Sequence, residues 1–165
     1  MSKSDPTKKI LIASDHAGVA LKNAIQKLLP EYSWEDMGPI DHNHKVDYPD
    51  MAEALSKKIQ NGALGGAGAA RGILICGSGI GMSIAANKLQ GIRAALVENP
   101  VAARLSREHN DANVLCLGSR FIAPEYGAEI AKIWLETAFT GEERHELRVK
   151  KIAKIDERTS NGESK

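Results

Sequence analysis

Short apolar segments alternate with longer amphipathic segments along most of this chain. Several of the short segments, such as 10–12 and 73–75, are apolar at every position, which is typical of strands in a parallel sheet that is covered on both faces. The longer segments repeat apolar residues at the spacing of one helix face. The pattern therefore predicts strands at 9–13, 33–36, 72–75, 93–97 and 114–117, and helices at 19–29, 50–61, 82–89, 100–109, 125–139 and 142–157.

This alternation of strands and helices favours an α/β fold. We predict a doubly wound (Rossmann-like) parallel sheet of five strands with flanking helices and a C-terminal helix. Residues 1–165 are expected to form a single domain with its core at about 8–158 and with flexible ends. Asn99 followed by Pro100 is a typical helix start, and the Gly/Ala-rich segment 63–71 is interpreted as a flexible connector.

Composition narrows the class of protein. The chain has 165 residues, a net charge of +1 and 26% charged residues, a balance that gives no indication of nucleic-acid or membrane binding. No segment approaches the roughly 20 apolar residues of a membrane span, and residues 1–9 lack the apolar core of a signal peptide. Cys76 and Cys116 lie in apolar, strand-like segments, where free thiols in a reducing compartment are expected rather than a disulfide. We therefore expect a cytoplasmic protein.

The segment 71–87 carries the clearest chemistry. A predicted strand ends at Cys76, and a glycine-rich turn with the sequence Gly-Ser-Gly-Ile-Gly follows and opens a helix. Unpaired backbone N–H groups at a helix N-terminus favour anions, and the same field stabilises a thiolate near neutral pH. One turn therefore offers a candidate base or nucleophile beside a cradle for negatively charged oxygens.

Several familiar uses of such a turn fail on residue identity. A dinucleotide fingerprint needs glycines spaced G-x-G-x-x-G, and Gly81 falls one residue early. A nucleoside-triphosphatase loop needs Lys after its last glycine, and a thiol phosphatase needs Arg six residues after its Cys; Met82 occupies both positions. No C-x-x-C pair exists for disulfide exchange. A thiolate that acts as a base remains.

Two further segments contain residue types that could bind a ligand or a metal ion. Asp15 and His16 follow the first strand and should reach the same sheet edge as Cys76, although alone they would be interpreted as a helix cap and a surface residue. The segment 41–44 (Asp-His-Asn-His) contains metal-ligand types, but it lies in a polar loop where solvated side chains are more common. We therefore expect no metal site.

His109 poses a geometric question. It lies near the end of a helix that returns antiparallel to the sheet, so about ten residues at 1.5 Å each place it roughly 15 Å from the start of that helix. It should therefore be far from Cys76 of the same chain. Either a second subunit supplies His109 to the site, or it is a C-terminal helix residue whose positive charge the dipole favours. Spacing leaves both interpretations open.

Seven ordered blocks make the chain resemble the ribose-5-phosphate isomerase B family, which also includes lactose-pathway and allose-phosphate isomerases. The blocks lie at 14–18 (SDHAG), 47–49 (DYP), 73–81 (ILICGSGIG), 85–88 (AANK), 91–93 (GIR), 105–113 (LSREHNDAN) and 117–120 (LGSR). The resemblance as a whole extends over about 9–153 of the 165 residues.

The resemblance implies a specific reaction and assembly. It implies that D-ribose 5-phosphate and D-ribulose 5-phosphate are interconverted through a cis-enediolate in the non-oxidative pentose phosphate pathway, without metal or cofactor. It also implies a homodimer with active sites shared between subunits, and leaves open whether two dimers form a tetramer. Allose 6-phosphate or galactose 6-phosphate as substrate, and a non-catalytic sugar-phosphate sensor, are the alternatives.

The resemblance also implies roles for individual residues. Cys76 matches the base, and His109 matches the acid that opens the furanose ring. Arg144 and Arg148 are one helical turn apart and can hold one phosphate dianion. One branch of the family has Glu in place of the Cys base, after the last glycine, where this chain has Met82. The implied substrate-binding residues are Asp15, His16, Tyr48, Gly77, Ser78, Gly79, Ile80, Gly81, Asn110, Arg120, Arg144 and Arg148.

Overall fold

A computed structural model describes residues 9–63 and 71–160. All five predicted strands are present, and each begins and ends within one residue of its predicted bounds. All neighbouring strands are parallel, in the order β2-β1-β3-β5-β4. The strands are β1 (Ile10–Ser14), β2 (Trp34–Asp36), β3 (Gly72–Cys76), β4 (Ala94–Leu96) and β5 (Val114–Gly118).

Within the described ranges six helices accompany the sheet, so the predicted fold class is confirmed. They are α1 (Val19–Leu28), α2 (Tyr48–Ala63), α3 (Ile80–Ala86), α4 (Pro100–Asn110), α5 (Pro124–Glu136) and α6 (Glu143–Ser160). Most of the connector predicted at 63–71, and the ends predicted to be flexible, lie outside the described residues. Among those described, no helix has both the length and the apolar character needed to cross a membrane.

The sheet is covered on both faces, which explains its uniformly apolar central strands. On one face, Ile25 of α1 and Trp134 of α5 are buried against the sheet together with Ala103 of α4. On the other face, Leu55 of α2 and Met82 of α3 are fully buried. Burial of such side chains contributes about 1.5–3 kcal/mol each, and it fixes the two edges of the sheet where the turns emerge.

Both ends of α4 are fixed by side chains. Asn99 accepts a hydrogen bond from the N–H of Ala102 (2.8 Å), which confirms the predicted start at Asn99-Pro100. At the other end, Asp111 has a φ of 47° and its carboxylate pairs with Arg93 and Arg107, each at 2.8 Å. Arg93 immediately precedes β4, so this end of α4 is held at the amino edge of the sheet.

The last helix, α6, packs on α4. The carboxylate of Asp156 accepts a hydrogen bond from the N–H of Gly91 (2.9 Å), in the turn that leads into β4. Leu147, Ile152 and Ile155 of α6 are exposed apolar side chains. An exposed apolar stripe of this kind is typical of a helix that contacts a second protein surface.

Candidate active site

The turn between β3 and α3 places a buried sulfur against a backbone donor. Cys76 is 5% exposed, and its Sγ accepts a hydrogen bond from the N–H of Gly79 (3.1 Å). The N–H of Ile80 donates to Ser78 Oγ (3.3 Å). The first of these bonds stabilises negative charge on the sulfur, as a thiol that exchanges protons requires.

Two glycines of this turn leave room for close neighbours. Gly79 has a φ of 74°, and a Cβ there would lie 2.9 Å from the carbonyl carbon of Leu117, so only glycine fits. A Cβ on Gly81 would lie 2.5 Å from Cε2 of Tyr48. The aromatic ring of Tyr48 therefore lies directly on Gly81, which brings the first residue of α2 to the Cys76 turn.

The turn after β1 lies beside the same edge. Its Asp15 is buried, and Oδ1 accepts hydrogen bonds from the N–H groups of Ala17 (2.9 Å) and Gly18 (3.0 Å). The N–H of Asp15 donates to the carbonyl of Ile75, one residue before the cysteine (3.0 Å). The Asp15 carboxylate thus stabilises the turn before α1, and its bonds with Ala17 and Gly18 use the same oxygen, Oδ1.

Arg120 and Ser119 join the turn after β5 to the two others. The N–H of Arg120 donates to the carbonyl of Gly77 (3.0 Å), and that of Ser119 donates to the carbonyl of Cys76 (2.9 Å). A Cβ on Gly77 would lie 3.1 Å from the guanidinium carbon of Arg120, so this cation lies over the turn. Ser119 Oγ also donates to the carbonyl of Ala17 (2.9 Å), a bridging role that its place in the LGSR block did not reveal.

The segment 41–44 is an exposed loop whose polar groups serve its own conformation. Asp41 Oδ1 accepts hydrogen bonds from the N–H groups of Asn43 (2.9 Å) and His44 (3.1 Å). His42 Nδ1 lies 3.2 Å from the carbonyl oxygen of His16, so the loop reaches the β1 turn. Across the described ranges, no group of three His, Cys, Asp or Glu residues is arranged to hold a metal ion.

A buried lysine binds the residues that lead into this loop. Lys22 is completely buried, and its Nζ donates to Asp36 Oδ1 (2.5 Å) and to the carbonyl of Pro39 (2.8 Å). Asp36 also accepts the N–H of Gly38 (2.8 Å). Lys22 was not predicted as a buried residue, although a lysine three residues after Val19 and three before Ile25 lies on the apolar face of the predicted helix.

The remaining predicted site residues lie at the opposite edge of the sheet. His109 and Asn110 end α4 beside the starts of β4 and β5, and Arg144 and Arg148 lie on α6, which packs against α4. A strand of five residues at about 3.3 Å each separates the two edges by about 16 Å. Within one chain, these four residues are therefore not brought to Cys76.

His145 is a second residue that the sequence analysis missed. Its ring stacks on that of His109, with centroids 4.2 Å apart and an interplanar angle of 10°, and the residue is 3% exposed. Burial lowers the pKa of His145; the positive charges of His109, Arg144 and Arg148 also lower it, whereas Glu142 opposes them. The only sequence signal was its place directly after Arg144.

The second cysteine, Cys116, lies in β5. Both cysteines are free and buried, as predicted. Burial raises the pKa of Cys116 far above the ordinary thiol value, and nearby Cys76 raises it further. Cys116 therefore remains a protonated core thiol, which leaves Cys76 as the candidate thiol for chemistry at this edge.

Comparison with known proteins identifies the family. A family model described as Ribose/Galactose Isomerase matches residues 10–152. A Bacillus subtilis (strain 168) protein, provisionally named sugar phosphate isomerase YwlF, is 49% identical over 91% of this chain and 98% of its own length. Ribose-5-phosphate isomerase B of Escherichia coli (strain K12) is 42% identical over 92% of this chain and 98% of its own. Ribose-5-phosphate isomerase B of Clostridium thermocellum superposes with a TM-score of 0.84 at 43% identity, covering 92% of this chain and 99% of that one. Because the family model matches most of the sequence, and the motifs predicted the same relationship, this chain belongs to the ribose/galactose isomerase family of sugar phosphate isomerases.

Proposed function

We propose that this protein is a ribose-5-phosphate isomerase that interconverts D-ribose 5-phosphate and D-ribulose 5-phosphate. The observation that carries the proposal is the geometry of the Cys76 turn, where a buried sulfur faces a backbone N–H and Asp15, Tyr48 and Arg120 converge. A base beside preorganised donors suits proton transfer between adjacent carbons through an enediolate. The Escherichia coli relative named ribose-5-phosphate isomerase B supports this choice of substrate.

In the proposed transfer, the Cys76 thiolate removes the proton from C2 of the open-chain aldose. Oxygen O1 gains a proton while the hydroxyl on C2 loses one, which leaves a cis-enediolate that collapses to the ketose when sulfur returns its proton to C1. The backbone N–H groups of 77–81 stabilise the developing oxyanion, an effect typically worth a few kcal/mol. Because Gly79 N–H faces the sulfur and Ile80 N–H faces Ser78, this stabilisation falls to the other N–H groups of the turn.

We further propose that a second copy of the chain completes the site. The supporting observation is that His109 and the arginines of α6 lie at the edge opposite Cys76. A two-fold symmetric dimer that brings the amino edge of one copy to the carboxyl edge of the other would complete two sites at once. Exposed Ile80 and Ile84 of α3, with Leu147 of α6, offer the apolar surface such an interface needs.

In this shared site, His109 of the second copy opens the furanose. Its imidazolium donates a proton to the ring oxygen, the bond between that oxygen and C1 breaks, and the anomeric hydroxyl loses its proton as the aldehyde forms. Arg144 and Arg148 of that second copy would bind the phosphate together with Arg120 of the first. His16 and Asn110 would contact the sugar. We place the reaction in the cytoplasm, in the non-oxidative pentose phosphate pathway.

A coupled assay tests this proposal directly. The purified protein is incubated with ribose 5-phosphate in the presence of a chelator, and ribulose 5-phosphate is measured. We expect turnover that the chelator does not reduce, with a higher kcat/KM than for allose 6-phosphate or galactose 6-phosphate. A higher kcat/KM for either six-carbon sugar would overturn the substrate assignment. Binding of ribose 5-phosphate without turnover of any of the three would favour the sensor.

A further inference from the structure

The stacked pair of His109 and His145 has a feature that packing alone does not explain. Both ring nitrogens of His145 are buried and lack a hydrogen-bond partner within the described part of the chain. Nε2 lies 3.8 Å from Glu142 Oε2, beyond hydrogen-bond distance, and a buried polar atom without a hydrogen-bond partner destabilises the fold. The face of the His145 ring lies parallel to the ring of His109, so the side chain contacts His109 by stacking.

His145 also occupies the joint between two elements that carry proposed site residues. Thr140, shortly before α6, donates to the carbonyl of Glu108 through Oγ1 (2.9 Å), and its N–H donates to the same atom (3.3 Å). The N–H of His145 donates to the carbonyl of Glu142 (2.8 Å) and so closes the first turn of α6. The imidazole stack is then the side-chain contact that fixes this turn against His109.

We propose that His145 is a positioning residue for ring opening, whose stacked imidazole holds the ring of His109 at the angle needed to protonate the furanose oxygen. This inference rests on the proposed function, in which His109 is the acid. It assigns His145 no contact with substrate.

The charges around the pair fit this assignment. The groups that act on His145 are His109 from α4, Arg144 and Arg148 from α6, and Glu142 from the turn before it. Burial and the charges of His109, Arg144 and Arg148 lower the pKa of His145, which favours its uncharged form, whereas Glu142 opposes them. Two parallel imidazolium rings 4.2 Å apart would repel each other strongly, so an uncharged His145 suits a proposed step in which His109 donates the proton.

The reaction separates ring opening from carbon-to-carbon proton transfer. Ribose 5-phosphate is mostly a furanose and must be opened, whereas ribulose 5-phosphate cannot form a five-membered ring because its O5 is esterified. Deuterium uptake at C1 of ribulose 5-phosphate in D₂O therefore reports the Cys76 step alone. Net turnover of ribose 5-phosphate reports both steps.

The test compares His145→Ala and His145→Phe with the wild-type protein and with His109→Ala. For His145→Ala we expect a loss of ribose 5-phosphate turnover on the order of 10- to 100-fold, the scale of a misplaced catalytic group. Deuterium uptake at C1 should stay within about twofold of wild type. His145→Phe keeps a flat ring on His109 and should recover most of the turnover. His109→Ala should show the same split as His145→Ala.

Three results would overturn the proposal. The first is an equal loss of turnover and of deuterium uptake in His145→Ala, which would indicate general damage to the site. The second is unchanged turnover in His145→Ala. The third result applies if His145→Ala does not fold. It is a turnover of His145→Phe as low as that of His109→Ala, with normal deuterium uptake. A wild-type protein that shows neither activity would instead refute the proposed function.

Discussion

The backbone N–H of Gly79 donates a hydrogen bond to the sulfur of Cys76 across 3.1 Å. The bond depends on the left-handed conformation of Gly79, which turns its N–H back towards the end of β3. A donor fixed in this way needs no reorganisation when charge develops on the sulfur. This geometry suits the proposed role of Cys76 as the base, in which the sulfur carries negative charge for part of the reaction cycle.

Removing this sulfur should abolish isomerisation. We expect Cys76→Ala to lower turnover of ribose 5-phosphate by about 100- to 10,000-fold, the usual contribution of a positioned base, while binding of the sugar phosphate persists. Steady-state kinetics and calorimetric titration measure the two quantities. Cys116→Ala is the matched control, since it removes the other buried thiol of the sheet. Near-normal turnover in Cys76→Ala would exclude the thiolate from the mechanism.

Mixing two inactive variants tests whether sites are shared. Cys76→Ala dimers and His109→Ala dimers are combined under conditions that exchange subunits, and each resulting heterodimer holds one site with both residues intact. For an equal mixture of exchanging two-fold dimers, we expect about a quarter of wild-type turnover to return. Subunit exchange is followed independently with a fluorescent label on each variant. Confirmed exchange without recovered activity would contradict the shared site.

The contact between Tyr48 and Gly81 predicts a loss of activity without a loss of stability. Gly81→Ala places a methyl group where the Tyr48 ring lies, so the ring must move away from the turn. We expect kcat/KM to fall by about tenfold, while the unfolding midpoint stays the same or rises because Ala favours a helix by about 1 kcal/mol over Gly.

A double variant controls the Gly81 experiment. In a Tyr48→Ala background the three atoms nearest to the added methyl group are removed, so Gly81→Ala should cost little further activity. Additive losses from the two substitutions would show that Gly81 matters for another reason, such as access of the substrate to the turn.

Much of the fold followed from the sequence because local and global preferences agree in the central strands. Runs such as 73–75 are apolar at every position, and their burial on both faces leaves little freedom in assignment. The helix bounds were less accurate. α3 begins at Ile80, two residues earlier than predicted, because Gly79 supplies the turn, and it ends at Ala86. Just after it, Asn87 pairs through its side-chain amide with the backbone of Ala94 at 2.8 and 2.9 Å.

The candidate site was predicted in part. Cys76 and Asp15 follow strands, and parallel strands end at one sheet edge, so their proximity could be deduced. The Tyr48 contact could not, because it depends on how α2 packs over α3. His145 was missed because it lies in a strongly charged segment, where a solvated helix is the ordinary expectation, and only the packing of α6 on α4 buries it.

The lowered pKa of His145 predicts a loss of stability in mild acid. In the unfolded chain the imidazole of His145 has its ordinary pKa of 6.5, whereas in the folded protein its pKa is lower. Below about pH 6.5 the unfolded state then binds more protons than the folded state, so this residue's contribution to stability falls as the pH falls. We expect urea unfolding midpoints measured at pH 7.5, 6.5 and 5.5 to fall more steeply for wild type than for His145→Phe. His44→Gln, which removes an exposed histidine of the 41–44 loop, should follow the wild-type curve. Parallel pH curves for wild type and His145→Phe would show that His145 titrates alike in both states and would contradict its uncharged, buried role beside His109.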